Sequence, residues 1–292
     1  MKKLSLIAPL LLALSLSACV TNEEPAVPEG WQEINVDTVP EIAAMVEDTD
    51  GTLTVGTSPP FAPFELKDSD GNIVGVEMDL VRALSQVMGL DFKPVEQDFS
   101  LILPSISGNQ VDAGASGFTD TEERRENYDF VDILYAGIQW AQKPGDSIDP
   151  DNPCGLTIAV QRTTVSETDD VRPKAEKCLA EGKEPITVLS FDSSDNAALA
   201  LLTTRADALS ADSPVTAWAV NRSGGEMELT GEIFDAAPYG IAVPKDSALG
   251  PATAAALQHL IDTGVYAQIL AQWGITEGLV DEAMINERPI NV

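Results

Sequence analysis

Reactive side chains are scarce in this sequence, and charged ones are abundant. One histidine, His259, and three cysteines, Cys19, Cys154 and Cys178, are the only imidazole and thiol groups it offers. They cannot assemble a His/Cys metal centre of the usual kind, and a Ser-His-Asp arrangement would have to be built on that one imidazole. No catalytic residue, no metal ligand and no cofactor is expected. The turn Asp68-Ser69-Asp70-Gly71-Asn72 carries the aspartates of a calcium loop but no glutamate at the EF-hand spacing, so it reads as a plain turn. Against 17 Lys and Arg stand 47 Asp and Glu, a formal charge of -30 over 292 residues. Such a polyanion has no electrostatic route to nucleic acid or to an anionic membrane surface, and its self-repulsion favours a soluble monomer.

The N-terminus runs Met1-Lys2-Lys3, an apolar stretch from Leu4 to Leu16, then Ser17-Ala18-Cys19. A short cationic flank, a core too brief to span a bilayer and small residues before a cleavage point describe an export signal over residues 1–18. Leu16-Ser17-Ala18-Cys19 resembles the bacterial lipobox, which implies that Cys19 becomes the lipidated first residue of a lipoprotein outside the cytoplasm. That lipid would be the only membrane anchor, since no later stretch approaches the roughly 20 apolar residues of a transmembrane helix. Cys154 and Cys178 then form an even pair in an oxidising compartment, where a disulfide closing a loop of about 25 residues contributes about 3 kcal/mol. Residues 19–50, acidic and dotted with proline, read as a tether, with the folded body starting near Gly51.

At 44% hydrophobic the chain can fill one large or two medium cores. Thr52-Leu53-Thr54-Val55-Gly56 reads as a strand, 64–67 and 73–76 as a hairpin, 78–88 as a helix with an apolar stripe ended by Gly89, and 91–95 as the next strand. Helix 101–108, strand 111–115 and a helix near 121–127 follow. The alternation restarts after Cys154, with strands at 156–161, 186–190 and 206–210 and helices at 168–181, 194–204 and 214–222. Two α/β units are implied, each a sheet covered by helices on both faces. Helices 249–264 and 265–273 have no third unit to serve, so the simplest topology returns them to the first.

Along these elements the chain resembles the family 3 solute-binding proteins of ABC importers, which carry amino acids and other polar small molecules. The stretches that match are Val55-Gly56-Thr57-Ser58-Pro59-Pro60-Phe61-Ala62-Pro63-Phe64-Glu65, Gly75-Val76-Glu77-Met78-Asp79-Leu80, Gly117-Phe118-Thr119-Asp120-Thr121-Glu122-Glu123-Arg124, Ile158-Ala159-Val160-Gln161, Asp212-Ser213-Pro214 and Pro238-Tyr239-Gly240-Ile241-Ala242-Val243, with Gly264 to Gly274 similar to the closing helix. The lipobox and the Cys154/Cys178 pair look most like the actinobacterial branch. The resemblance implies an α/β, two-lobed periplasmic-binding-protein-like fold (type II), each lobe a central sheet flanked by helices, the two joined by two hinge strands. Lobe 1 would be 50–137 with 238–278 and lobe 2 138–237, leaving 279–292 as a C-terminal tail. The implied function is to capture a polar amino acid or close derivative by cleft closure and deliver it to a membrane permease.

A free amino acid carries a carboxylate and an ammonium, so a selective pocket needs a fixed cation for one and a carboxylate for the other. The resemblance places Arg124 at the ligand carboxylate, helped by a Gly117 N–H and a Thr119 hydroxyl, with Ser116 a further ligand-binding residue, while Arg125 stays outside the pocket. It places Asp212 at the ammonium, whereas residue type and position alone fit a helix cap. Phe61 and Phe99 would cover the aliphatic part of the ligand. Ser58 stands where relatives with cationic ligands often carry aspartate, which argues mildly against lysine or arginine. In lobe 2, Thr164, Val165 and Ser166 would add contacts. The loop Gln161-Arg162-Thr163-Thr164 departs from the family's Gln-x-Gly-Thr by putting threonine in place of glycine, and Arg162 could reach an acidic ligand side chain.

Two other classes fit the same fold. Some two-lobed proteins are exported dehydratases acting on cyclic carboxylic acids, which need a general acid in the cleft; no histidine is available there, and Glu77 is better explained by strand-to-helix packing. A sensor lipoprotein that presents its ligand to a separate receptor is the other.

Overall fold

The computed structural model describes residues 27–46 and 50–290. The export signal and Cys19 lie outside the described residues.

Lobe 1 opens with the short helix α1 (Pro40–Ala43), then β1 (Thr52–Thr57), the hairpin β2 (Leu66–Lys67) and β3 (Ile73–Val74), α2 (Val76–Val87), β4 (Asp91–Glu96), α3 (Phe99–Ser107), β5 (Ala113–Gly114) and α4 (Glu122–Arg125). The long strand β6 (Tyr128–Gln142) carries the chain out of this lobe. Lobe 2 follows with β7 (Thr157–Gln161), α5 (Arg172–Ala180), β8 (Thr187–Phe191), α6 (Ser194–Leu202), β9 (Ala208–Asp212) and α7 (Ser213–Arg222). A second long strand, β10 (Glu228–Pro244), returns to lobe 1, which is completed by α8 (Leu249–Asp262), α9 (Val265–Gln272), β11 (Met284–Ile285) and β12 (Arg288–Pro289).

The sheet order is β4-β1-β5-β10-β6-β9-β7-β8. β1 lies parallel to β4 and β5, and β7 parallel to β8 and β9, whereas β6 and β10 run antiparallel to each other through both lobes. The β6–β10 register slips between Thr230 and Phe234, again before Ala237, and again between Tyr239 and Gly240. Such irregularities bend a strand, and here they fall where the two strands cross from lobe to lobe.

Helix starts follow local chemistry. The Thr121 side chain accepts the Arg124 N–H at α4 and Ser193 accepts the Asn196 N–H at α6, each satisfying a donor left free by the first turn. The Asp68 carboxylate accepts the N–H groups of Asp70 and Asn72 and closes its own turn between β2 and β3. Cys154 and Cys178 are disulfide-bonded, with Cα atoms 5.6 Å apart.

Two expectations need correction. Residues 27–46 are no free tether. Trp31, Ile34, Val36, Val39 and Ile42 pack on the lobe 1 core, the Trp31 indole N–H donates to Asp79, and the Val39 N–H donates to the Val87 carbonyl. The tail is no appendage either, because β11 pairs with β6 at Val131 and Asp132 and Val280 and Ala283 are buried. In both places spaced apolar residues cover a face that the family core alone would leave wet.

Candidate functional site

Loops at the carboxyl ends of β1 and β5 in lobe 1 and of β7 and β9 in lobe 2 converge on one narrow, tightly closed cavity. This is where open parallel α/β sheets hold ligands. Phe61, Phe99, Gly117, Thr119, Arg124, Thr164, Val165 and Asp212 line it. Ser58, Ser116 and Ser166 do not: all three are buried behind the wall.

Arg124 projects from the short α4, whose cap fixes its backbone. Its guanidinium donates to the Thr119 carbonyl at 2.7 Å and, across the cleft, to the Thr163 carbonyl at 3.3 Å. The rings of Phe118 and Phe99, stacked on each other 4.6 Å apart, lie 5.5 and 5.9 Å from its central carbon, so the planar group packs against this aromatic pair. Two carbonyls use only part of its donor capacity. Burial lowers its pKa, opposed first by the charge of Asp212, and an arginine remains protonated throughout.

Asp212 ends β9 and stands at the cap position of α7, yet its side chain makes no cap hydrogen bond, so capping does not account for it. It is 6% exposed, and among the described residues no cation comes within ion-pair distance. Burial pushes its pKa up to about 6, against the lowering effects of Tyr239 and Arg124. The Tyr239 hydroxyl lies beside it without forming a well-shaped hydrogen bond, and is otherwise buried without a partner. One lobe thus offers a cation with spare donors and the other a buried carboxylate with no counter-ion. A zwitterion would satisfy both.

The lobe 1 wall departs from expectation. The Gly117 N–H is already given to Glu77 at 2.9 Å, so it is not free to be the carboxylate donor that the resemblance implies. Gly117 has φ +60, and a Cβ there would sit 2.5 Å from the Phe61 ring, so only glycine fits. Ser116 accepts the Ser58 N–H and donates to Glu65. Glu77 therefore does more than pack strand against helix. Sequence reasoning missed Glu65, Glu77 and Tyr239 as site groups, although all three stand inside the matching stretches.

The lobe 2 loop also differs. The Thr164 hydroxyl donates to the Gln161 carbonyl rather than into the cavity. Arg162 pairs with Asp192 and is turned away from any ligand. Thr163 takes φ 63, the left-handed conformation that suits the family's glycine and is costly for a β-branched residue. Glu167 holds the strained loop by accepting the Thr163 N–H at 2.7 Å and pairing with Arg172. Burial alone would raise the Glu167 pKa, but the hydrogen bonds from Ser190, Thr163 and Arg172 outweigh it and leave it lowered. Arg125 pairs with Asp120 and Glu287, outside the cavity.

Two α/β lobes on a pair of hinge strands, closing on a cavity flanked by opposite charges, define a solute-binding protein. The sequence profile of the bacterial extracellular solute-binding proteins, family 3, matches residues 53–276, and the chain belongs to that family. It is 63% identical over 284 residues, 96% of its own length and 93% of the relative's, to the arginine-binding protein ArgT of Corynebacterium glutamicum. It is 29% identical over 255 residues, 82% of this chain and 92% of the relative, to an L-arginine-binding protein of Pseudomonas aeruginosa. Among solved structures, an ancestral arginine-binding protein bound to arginine superposes with a TM-score of 0.70 at 32% identity, covering 76% of this chain and 98% of that one. The role of the chain is amino-acid binding in ABC import.

Proposed function

We propose that the protein captures free arginine outside the cytoplasm, closes lobe 2 (138–237) on lobe 1 (50–137 with 238–278) around it, and delivers it to an ABC permease. The observation that carries the reading is the pair of uncompensated opposite charges, Arg124 and Asp212, on facing sides of one cavity. Arg124 takes the α-carboxylate and Asp212 the α-ammonium, so the cargo itself bridges the lobes and stabilises the closed form. Phe61 and Phe99 flank the aliphatic part, and Thr119, Thr164 and Val165 complete the wall. The choice of arginine is supported by the name of the 63%-identical relative. It runs against the mild argument from Ser58, but a carboxylate that can supply the negative charge absent at Ser58 stands one layer deeper, at Glu77. The protein performs no chemistry in this reading, and a lipid on Cys19 holds it at the membrane.

Calorimetry of the mature protein with arginine, lysine, glutamine and histidine tests this. Arginine should bind tightest, and Arg124→Ala should abolish the heat. Tighter binding of glutamine or histidine, or unchanged affinity in the variant, would reject the assignment.

A further inference from the structure

Directly behind the lobe 1 wall, two carboxylates are buried without a cation. Glu65 is 0% exposed and Glu77 1%, and among the described residues no lysine, arginine or histidine pairs with either. Each uses one oxygen: Glu65 Oε1 accepts from the Ser116 hydroxyl, and Glu77 Oε2 accepts from the Gly117 N–H. The other oxygens, Glu65 Oε2 and Glu77 Oε1, are buried without a well-shaped hydrogen bond, although the Thr57 hydroxyl and the Ser58 N–H lie close enough to Glu65 to favour its charged form. Gly117 lines the cavity, so Glu77 stands one hydrogen bond behind the ligand and Glu65 stands behind Ser116. The titratable and charged groups facing this pair are Tyr239 on β10, then Asp212 and Arg124 around the cavity.

Two buried carboxylates with no cation between them cannot both be ionised. Burial first, and the charge of Glu77 second, hold the Glu65 pKa well above the carboxylate range. Burial pushes Glu77 up to about 7, against the lowering effect of the Gly117 N–H. The pair therefore shares a proton at neutral pH, and Glu77, whose carboxylate accepts the N–H of the cavity-lining Gly117, is the member on the ligand side.

We propose that Glu77, paired with Glu65, is a proton-exchanging counter-ion for the side chain of a cationic amino acid. Entry of the cation expels the Glu77 proton, and the freed charge attracts the cargo through the Ser116–Gly117 wall. This rests on the arginine reading and deepens it, because it supplies the negative charge that Ser58 does not. The sign follows from linkage: protons compete with the cationic cargo, so affinity falls as pH falls. Arginine affinity should weaken about twenty-fold from pH 8 to pH 6, about ten-fold through a group titrating near 7 and about two-fold through Asp212 near 6.

Calorimetry with arginine at pH 7, in phosphate and in Tris, counts the protons. Wild type should release about half a proton per arginine bound, since a group titrating near 7 is half protonated there. Glu77→Gln, which can still accept the Gly117 N–H, should release close to none and keep only the two-fold pH dependence. Identical heats in both buffers with normal arginine binding, or a variant that still releases the proton, would overturn the coupling alone. A flat isotherm with arginine would overturn both the coupling and the cargo. The wild-type count decides the matter even if the variant does not fold.

Discussion

The two lobes share an architecture but are held together differently. Lobe 1 buries large side chains, among them Phe64, Met78, Leu84, Tyr239 and Tyr266, in one extensive cluster that also takes in residues from 27–46 and 275–290, with a smaller second cluster around Phe99, Ile102, Phe118 and Phe130. Lobe 2 is filled by two smaller clusters on opposite faces of its sheet, one of them largely alanine (Ala141, Ala159, Ala197, Ala200), the other containing Cys178 of the disulfide. The large core can bear the cost of burying Glu65 and Glu77. The small ones need a covalent link, and the loop they carry is strained at Thr163. Binding draws one charge from each side, so the contrast concerns stability more than recognition.

The comparison breaks first at the charges. Arg124→Ala leaves the Asp212 carboxylate without its partner across the ligand and should weaken arginine binding by about 3–5 kcal/mol, measured by calorimetry. Equal affinity would show that lobe 1 does not anchor the cargo. Next comes the disulfide. Reducing it should lower the stability of lobe 2 by about 3 kcal/mol, with faster amide exchange in β7, β8 and α5 and little change in β1, β4 and α2. A loss spread evenly over both lobes would erase the distinction drawn here.

Asp212→Asn should cost binding yet stabilise the ligand-free protein. A carboxyl whose folded pKa is raised to about 6 destabilises the fold fully above that pH and not at all below its unfolded value near 4. The gain should be on the order of 2 kcal/mol at pH 7 and vanish by about pH 4 in denaturant titrations. A gain that persists at low pH would point to packing instead. Smallest is Thr163→Gly, which relieves the left-handed backbone and should stabilise by about 1 kcal/mol, net of the added freedom of the unfolded chain. A lower melting temperature would mean that the threonine side chain earns its place through contacts.

Most of the fold was legible because glycines and prolines punctuate it. Gly89 sits just past α2 and Pro214 lies in the first turn of α7, and the lobe 2 elements fall within a few residues of the expected ranges. The long strands were not legible. β6 is buried on both faces over most of its length and so lacks the alternation that marks a half-exposed strand. Residues 31–42 carry isolated apolar side chains in acidic surroundings, and only the surface they meet reveals that they pack. Motif position singled out Arg124 and Asp212, and both line the cavity. The Gly117–Glu77 bond was not, since it joins residues 40 apart and nothing local announces it. Thr163 was noticed as a missing glycine, and its φ gives the physical reason.

Residues 27–46 and the β11–β12 hairpin both pack on lobe 1, so lobe 2 is one uninterrupted stretch set into a host that the chain begins early and finishes last. As the polypeptide emerges from its N-terminus, the inserted half is complete, with both cysteines present, once the first half of β10 is out, while its host still awaits the rest of β10 and the helices beyond. Domains tend to fold as units in the order of synthesis. Assembly should therefore run from the inside outward, and the half that closes on the cargo should be the first to acquire its shape.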